Sequence, residues 1–327
     1  MRILVSTDRI GALSSADAGA AVARAFRDAR SGVEVAVIPM AAGGIDLALA
    51  LDRLGDDAVV VTAGTGGPGH RFDLSASSVE LGTRLAEVLT QRPARVVADL
   101  TGVTSLDGGA GLLAALGAVA DVRLDAGLSA LGGITRIDLT EVRALLRDTE
   151  LVAVVAPDHV ADLLLGLRGI IVRRGHAVDA APADLLPADA ALGALAGALG
   201  MMDTPGVGAG GGVALALKAL GAAVTSGPAL CASVAGLDRT AARADVLVTG
   251  TDSLDFAERG GPVVTEIAAA AERALRPCVA VAREVQVSAR ELRTFGIEVA
   301  YALGGEARLG AAELTRRAAG PASSWTW

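Results

Sequence analysis

Apolar and polar positions alternate between two periods along this chain. Residues 2–7 are a short apolar run that ends at Asp8 and Gly11. Such a run reads as a buried strand. Ser14 and Ser15 can cap a helix on which Ala18, Val22 and Phe26 recur every four residues. A second strand at 33–38 stops at Pro39, a helix covers 45–54, and a third strand covers 58–62. Strand, helix, strand, helix, strand at this spacing predicts a parallel sheet with crossover helices.

The same rhythm continues further on. Helices are expected at 77–89, 112–119, 140–147, 262–274 and 288–294, and strands at 95–100, 151–156, 277–282 and 297–303. A strand from Ala244 is expected to end near Gly250, Asp252 and Asp255. Residues 161–199 read as mostly helical, with breaks at Gly175, Pro182 and Pro187. The cluster Gly64-Thr-Gly-Gly-Pro-Gly69 is a loop and a candidate domain crossing, and His70 beside it reads as solvated. The end, 320–327, is expected to fray.

At 327 residues the default expectation is two domains. Aromatic residues make up only 2%, so the core has to be built from Ala, Val and Leu. The formal charge of −8 argues against a nucleic-acid or anionic-membrane partner. Cys231 and Cys278 have no metal or redox spacing, which fits a reduced, cytoplasmic setting. Lys218 is the single lysine. Mechanisms that need several compact ammonium groups on phosphate are thereby excluded.

Two glycine-rich turns carry the candidate chemistry. In Pro205-Gly-Val-Gly-Ala-Gly-Gly-Gly212 five glycines precede an apolar helix. A loop of that kind presents unpaired N–H groups and the positive end of a helix dipole to an anion. The other reading is a tight connection whose glycines let a buried helix pack closely; both stay open from this stretch alone. Neither phosphate-loop pattern is met in context, since no acid lies about 20 residues on and no Gly-Lys-Ser/Thr ends the loop. In the second turn, Thr101 to Gly111, Asp107 could hold magnesium, orient a hydroxyl or cap the following helix, and the cap is favoured. Asp8, Asp99, Asp107 and Asp158 fit the carboxyl ends of strands, where α/β ligands collect.

The ordered segments resemble the glycerate kinase family of the two-domain, glyoxylate-pathway type. The sharpest parts are 106–118, 131–139 and 205–217, with Leu247-Val-Thr-Gly250, Leu254-Asp255 and 296–301 also similar. The resemblance spans nearly the whole chain. It implies an α/β fold: a Rossmann-like parallel-sheet domain from both chain ends, 1–63 and 241–327, with a second α/β domain, 64–240, between them. It also implies transfer of the ATP γ-phosphoryl group, with Mg2+, to a hydroxyl of D-glycerate.

Departures from the family pattern fall on charged positions. Where the family's first strand ends Pro-Asp-Ser-Phe-Lys-Gly, this chain has Thr7-Asp8-Arg9-Ile10-Gly11. Its Ala-Asp-Gly-Gly-Glu-Gly-Thr has become Ala41-Ala-Gly-Gly-Ile-Asp-Leu47, and Gln-Lys-Gly is reduced to Arg173-Arg174-Gly175. Phosphoryl transfer relies on positioning and on cations set against developing charge, and losing one such group costs on the order of 10²–10³ in rate. The expectation is a divergent member with weak or lost phosphotransfer and retained binding of a small anion or nucleotide. The alternatives are an active glycerate kinase and a protein that serves only protein contact. If the chain holds a site, Gly206, Gly208, Gly210 and Gly211 are expected near phosphate, and Gly108 and Gly109 near substrate. Asp107, Asp158 and Asp8 are the catalytic candidates, and Asp252 and Asp255 the metal candidates.

Overall fold

A computed structural model describes residues 1–63 and 72–327. The expected loop at 64–69 and His70 lie outside the described residues. The chain divides into two compact units, Met1–Asp56 with Gly227–Trp327, and Asp57–Ser226. The first unit starts with β1 (Arg2–Thr7), α1 (Ser15–Ala29), β2 (Glu34–Val37) and α2 (Gly44–Arg53). The second contains β3 (Val59–Thr62), α3 (Val79–Leu89), β4 (Arg95–Asp99), α4 (Ala110–Ala115), β5 (Val119–Ala120), β6 (Ile137–Asp138), α5 (Thr140–Leu146) and β7 (Glu150–Val155). It goes on through α6 (Ile170–His176), α7 (Pro182–Ala198), α8 (Val213–Ala219) and β8 (Ala223–Ser226). The chain then returns to the first unit with α9 (Gly227–Ala235), α10 (Leu237–Ala241), β9 (Val246–Leu254) and α11 (Gly261–Ala274). It ends with β10 (Cys278–Val285), α12 (Ala289–Thr294), β11 (Val299–Ala302) and α13 (Ala311–Ser324). No described helix is long and apolar enough to cross a membrane.

The first unit is a five-stranded parallel sheet in the order β11-β10-β9-β1-β2. The direction of winding reverses between β1 and β9, and α/β ligands favour the carboxyl ends at such a point. Ser14 caps α1 by accepting from Asp17 N, and Ala18, Val22 and Phe26 are buried as the spacing predicts. They pack with Ile3, Val5, Val248 and Val281 of the sheet and with Leu314, Ala318 and Ala322 of α13. Alanines along α1 and α13 keep their contact close. The C-terminal segment does not fray: Trp325 Nε1 donates to Tyr301 Oη at 3.0 Å, and Thr326 is buried.

The second unit is a four-stranded parallel sheet in the order β3-β4-β7-β8, with the small antiparallel pair β5-β6. β3 pairs with β4, so the strand at 59–62 belongs to this sheet and not, as the boundary at 63 had it, to the first unit. At the other end, α9 and α10 belong to the first unit, which moves that boundary from 240 to 226. The helix expected at 112–119 starts at Ala110 and stops at Ala115, because Gly117 has φ of +96° and sends the chain into β5. One core lies around the sheet with α3, α4, α5 and α8, and another joins α6, α7 and the 124–134 segment.

Candidate functional site

The two glycine-rich turns lie within the second unit and pack against each other. A Cβ on Gly212 would sit 3.2 Å from Gly108 Cα, and one on Gly109 would be 2.5 Å from Ala216 Cβ. A Cβ on Gly211 would fall 1.8 Å from Ser105 O, one on Gly208 2.1 Å from Leu163 O, and one on Gly206 2.8 Å from Val160 O. Gly210 faces the Leu100 side chain at 2.8 Å, and Gly108 meets Leu195 at 2.8 Å. The position a Cβ would take at each of these glycines is therefore filled by the protein's own atoms. Several of these glycines also have positive φ, among them Gly108, Gly109, Gly206, Gly210 and Gly211. The backbone N–H groups of Gly206 and Gly208 both donate to Asp162 O at 3.0 Å. These contacts are the ones the close-packing reading requires.

Asp107 is fully buried. Its Oδ1 accepts from Gly109 N at 3.1 Å, and its Oδ2 accepts from Gly111 N at 3.0 Å, Ser78 N at 2.8 Å and Ser78 Oγ at 2.9 Å. Ser77 Oγ approaches the same oxygen at 3.4 Å, while Ser78 Oγ accepts from Leu112 N at 2.9 Å. This carboxylate ties the start of α4 to the start of α3. It has the cap role, and no reactant reaches it in this arrangement, which corrects its placing as a catalytic group.

Above these caps, at the carboxyl ends of β3 and β4, lies a polar cavity of about 410 Å³. Ser77, Glu80, Arg84, Thr104 and Ser105 are among its lining residues. Arg84 donates to Glu80 at 2.6 Å and to Thr62 O at 3.2 Å. Ser105 is 4% exposed, and its hydroxyl has no hydrogen-bond partner among the described residues. A buried hydroxyl left unpaired costs free energy unless something fills the role. Arg174 of α6 backs the 103–104 loop, donating to Thr104 O at 3.1 Å and Val103 O at 3.4 Å. Burial pushes its guanidinium below the usual range. A larger cavity of about 660 Å³ in the first unit lies at the amino ends of β1 and β2, the wrong end for a parallel-sheet ligand.

Past β7, Asp158 is exposed on a short 3-10 turn, and its Oδ2 lies 3.8 Å from His159 Nε2. His159 Nδ1 is 2.7 Å from Oδ2 of Asp162, a side chain only 5% exposed. Arg173 Nη1 binds the other Asp162 oxygen. Sequence reading named Asp158 and passed over Asp162. The three-residue spacing from His159 was the available signal, and it does not distinguish a loop pair from a coincidence.

In the first unit, Asp8 follows β1. Burial, and after it the nearby Asp46 carboxylate, raise its carboxyl above the usual range, against the Arg9 N–H that lowers it. Arg9 Nη1 pairs with Asp46 at 2.8 Å. Asp252 does not stand as a metal ligand. Arg283 takes both of its oxygens, Nε to Oδ1 and Nη2 to Oδ2, each at 2.9 Å, and Gly11 N adds a bond at 2.9 Å. That guanidinium holds the Asp252 carboxyl below the ordinary range. Asp255 Oδ1 accepts from Glu258 N at 2.8 Å and so closes a local turn. Among the described residues no three His, Cys, Asp or Glu side chains group as a metal site. In this arrangement the Asp252 carboxylate faces Arg283 and the Asp255 carboxylate faces the Glu258 N–H.

The family model for the glycerate kinase family matches residues 56–319. The chain is 30% identical to the uncharacterized protein Mb2228c of Mycobacterium bovis, over 99% of this chain and 90% of that protein. The same figures hold for the uncharacterized protein MT2261 of Mycobacterium tuberculosis. The fold is similar to the crystal structure of a "putative glycerate kinase 2" from Salmonella typhimurium LT2. The TM-score is 0.81 at 20% identity, covering 99% of this chain and 98% of that one. With the family match spanning most of the sequence, the chain belongs to the glycerate kinase family.

Proposed function

We propose that the chain binds a short hydroxy-acid anion of the glycerate type at the carboxyl edge of the second unit's sheet, and transfers phosphate from ATP to it only weakly. The weakness rests on one observation: Arg283 occupies both oxygens of Asp252, the carboxylate expected to face magnesium. A phosphoryl group in transfer needs cations held against its spreading charge. Here an acid at that position is spent on a cation of the protein.

Support for binding comes from the polar cavity. Ser77 and Thr104 supply hydroxyls, and Ser105 has one without a partner among the described residues. Arg84 supplies N–H donors beyond the two it uses, and Arg174 adds positive charge behind the wall. Asp158, in the same unit, is a candidate for hydroxyl contact. The glycine turns act as supports behind the site.

The test combines thermal shift with turnover. D-glycerate should raise the melting temperature by mass action, and Arg84→Ala should remove that rise. ADP release with ATP–Mg and glycerate should fall far below the roughly 1–100 s⁻¹ of ordinary kinases. Turnover within that range would overturn the weak-transfer reading, and an unchanged glycerate shift in Arg84→Ala would move the anion out of this cavity.

A further inference from the structure

We infer that His159 and Asp162 form an acid–base dyad in which His159 Nε2 accepts the hydroxyl proton of the bound hydroxy acid and Asp162 positions the ring. This rests on the binding and slow transfer proposed above, and adds the group that would carry the proton.

The geometry is that of a base with an orienting acid. A carboxylate can only accept, so the 2.7 Å contact from His159 Nδ1 to Asp162 Oδ2 puts the imidazole proton on Nδ1. Nε2 then carries the lone pair. Asp162 is 5% exposed, whereas the His159 side chain is 32% exposed, so the orienting acid is sheltered and the ring reaches solvent. Arg173 holds the second Asp162 oxygen and prevents the carboxylate from swinging away. Gly206 N and Gly208 N hold its backbone carbonyl from the other side. The dyad sits just after β7, next to β4 in the sheet, and β4 leads into the 102–105 wall of the cavity. α6 ties the two places together: Arg173 binds Asp162, and Arg174 binds the carbonyls of Val103 and Thr104. Among the described residues Asp158 and Asp162 pair with His159, and Arg173 and Arg174 lie beyond Asp162. Asp158 is the one near Nε2, and at 77% exposed it yields that position readily.

The substrate hydroxyl oxygen forms a bond to the terminal phosphorus of a nucleoside triphosphate. The bond from that phosphorus to its bridging oxygen breaks, and the electron pair leaves with the nucleoside diphosphate. The hydroxyl proton passes to Nε2, and the Asp162 carboxylate steadies the imidazolium.

The experiment is single-turnover phosphate transfer, with the full-length protein in excess over ATP–Mg and with D-glycerate, between about pH 5.5 and 8.5. The wild-type rate should rise with pH across this interval, as a proton acceptor that works in its uncharged form requires. His159→Asn, whose amide can replace Nδ1 toward Asp162, should lower the rate about 10²-fold and abolish the rise. His159→Gln serves as a second variant should the first fail to fold. Asp162→Asn should lower the rate by about tenfold and displace the pH profile, which a purely structural role would leave in place. Both dyad variants should keep the glycerate-induced thermal shift. An unchanged rate or pH profile in both His159 variants overturns the dyad, as does wild-type protein that binds glycerate and transfers nothing. If glycerate gives the wild type no shift, the binding reading falls first and the dyad loses its substrate with it.

Discussion

Two aspartate–arginine pairs, one in each unit, use the same chemistry to opposite ends. Arg283 lies edge-on to Asp252 and consumes both carboxylate oxygens. Arg173 takes one oxygen of Asp162 and leaves the other for His159. A two-point guanidinium–carboxylate contact is strong and directional, and it ends the carboxylate's career as a ligand. A one-point contact anchors the acid while leaving it able to orient a neighbour. The kind of partner on each oxygen, arginine on both at Asp252 but arginine and imidazole at Asp162, separates the two carboxylates. Asp107 is the limiting case, with five donors around two oxygens.

The largest test of this grading is Asp107→Ala. It strands several buried N–H groups at the starts of α3 and α4, and unfolding in urea should show a loss of about 3 kcal/mol or more. A loss below about 1 kcal/mol would mean the caps are satisfied otherwise. Arg283→Met should cost less, because Asp252 is nearly half exposed and water screens the pair. The pH dependence has a fixed sign. Asp252 has a folded pKa below its unfolded value, so the pair's contribution is present above the ordinary carboxylate range and lost as pH falls through the folded pKa. Acid unfolding of Arg283→Met should therefore be flatter below about pH 4 than that of the wild type. The smallest effect is expected at Asp8. Burial raises its folded pKa, so its charge opposes folding at neutral pH. Asp8→Asn should raise the melting temperature slightly near neutrality, and the gain should vanish in acid where both forms are uncharged. A lowered melting temperature at neutral pH would show that Asp8 is held by more than its Arg9 contact.

Much of the fold was legible because its cause is local. The run at 2–7, the Ser14 cap and the Ala18-Val22-Phe26 stripe each name an element by period and chemistry, and each forms as read. The domain boundary at 63 was not legible, since β3 is assigned by its partner β4, which lies more than thirty residues away. The candidate site was legible as an edge and not as a set of groups. Asp107 was singled out both as a cap and as a catalytic candidate, and its hydrogen bonds are those of a cap. Asp252 looked like a ligand because Arg283, thirty-one residues on, leaves no mark beside it in the sequence. Asp162 was overlooked because an acid among alanines and leucines has no motif, and its value comes from His159 on one side and α6 on the other.

The interlocked glycine turns have an evolutionary consequence. Ser105 O leaves no room for a methyl group at 211, and Leu163 O leaves none at 208. Substitution there is penalised by misfolding whether or not anything ever binds. The family's most recognisable string can therefore outlive its chemistry, and descendants with and without turnover will share it. Relatives are better sorted by what stands opposite each acid, starting with whether an arginine faces position 252 and a histidine faces position 162.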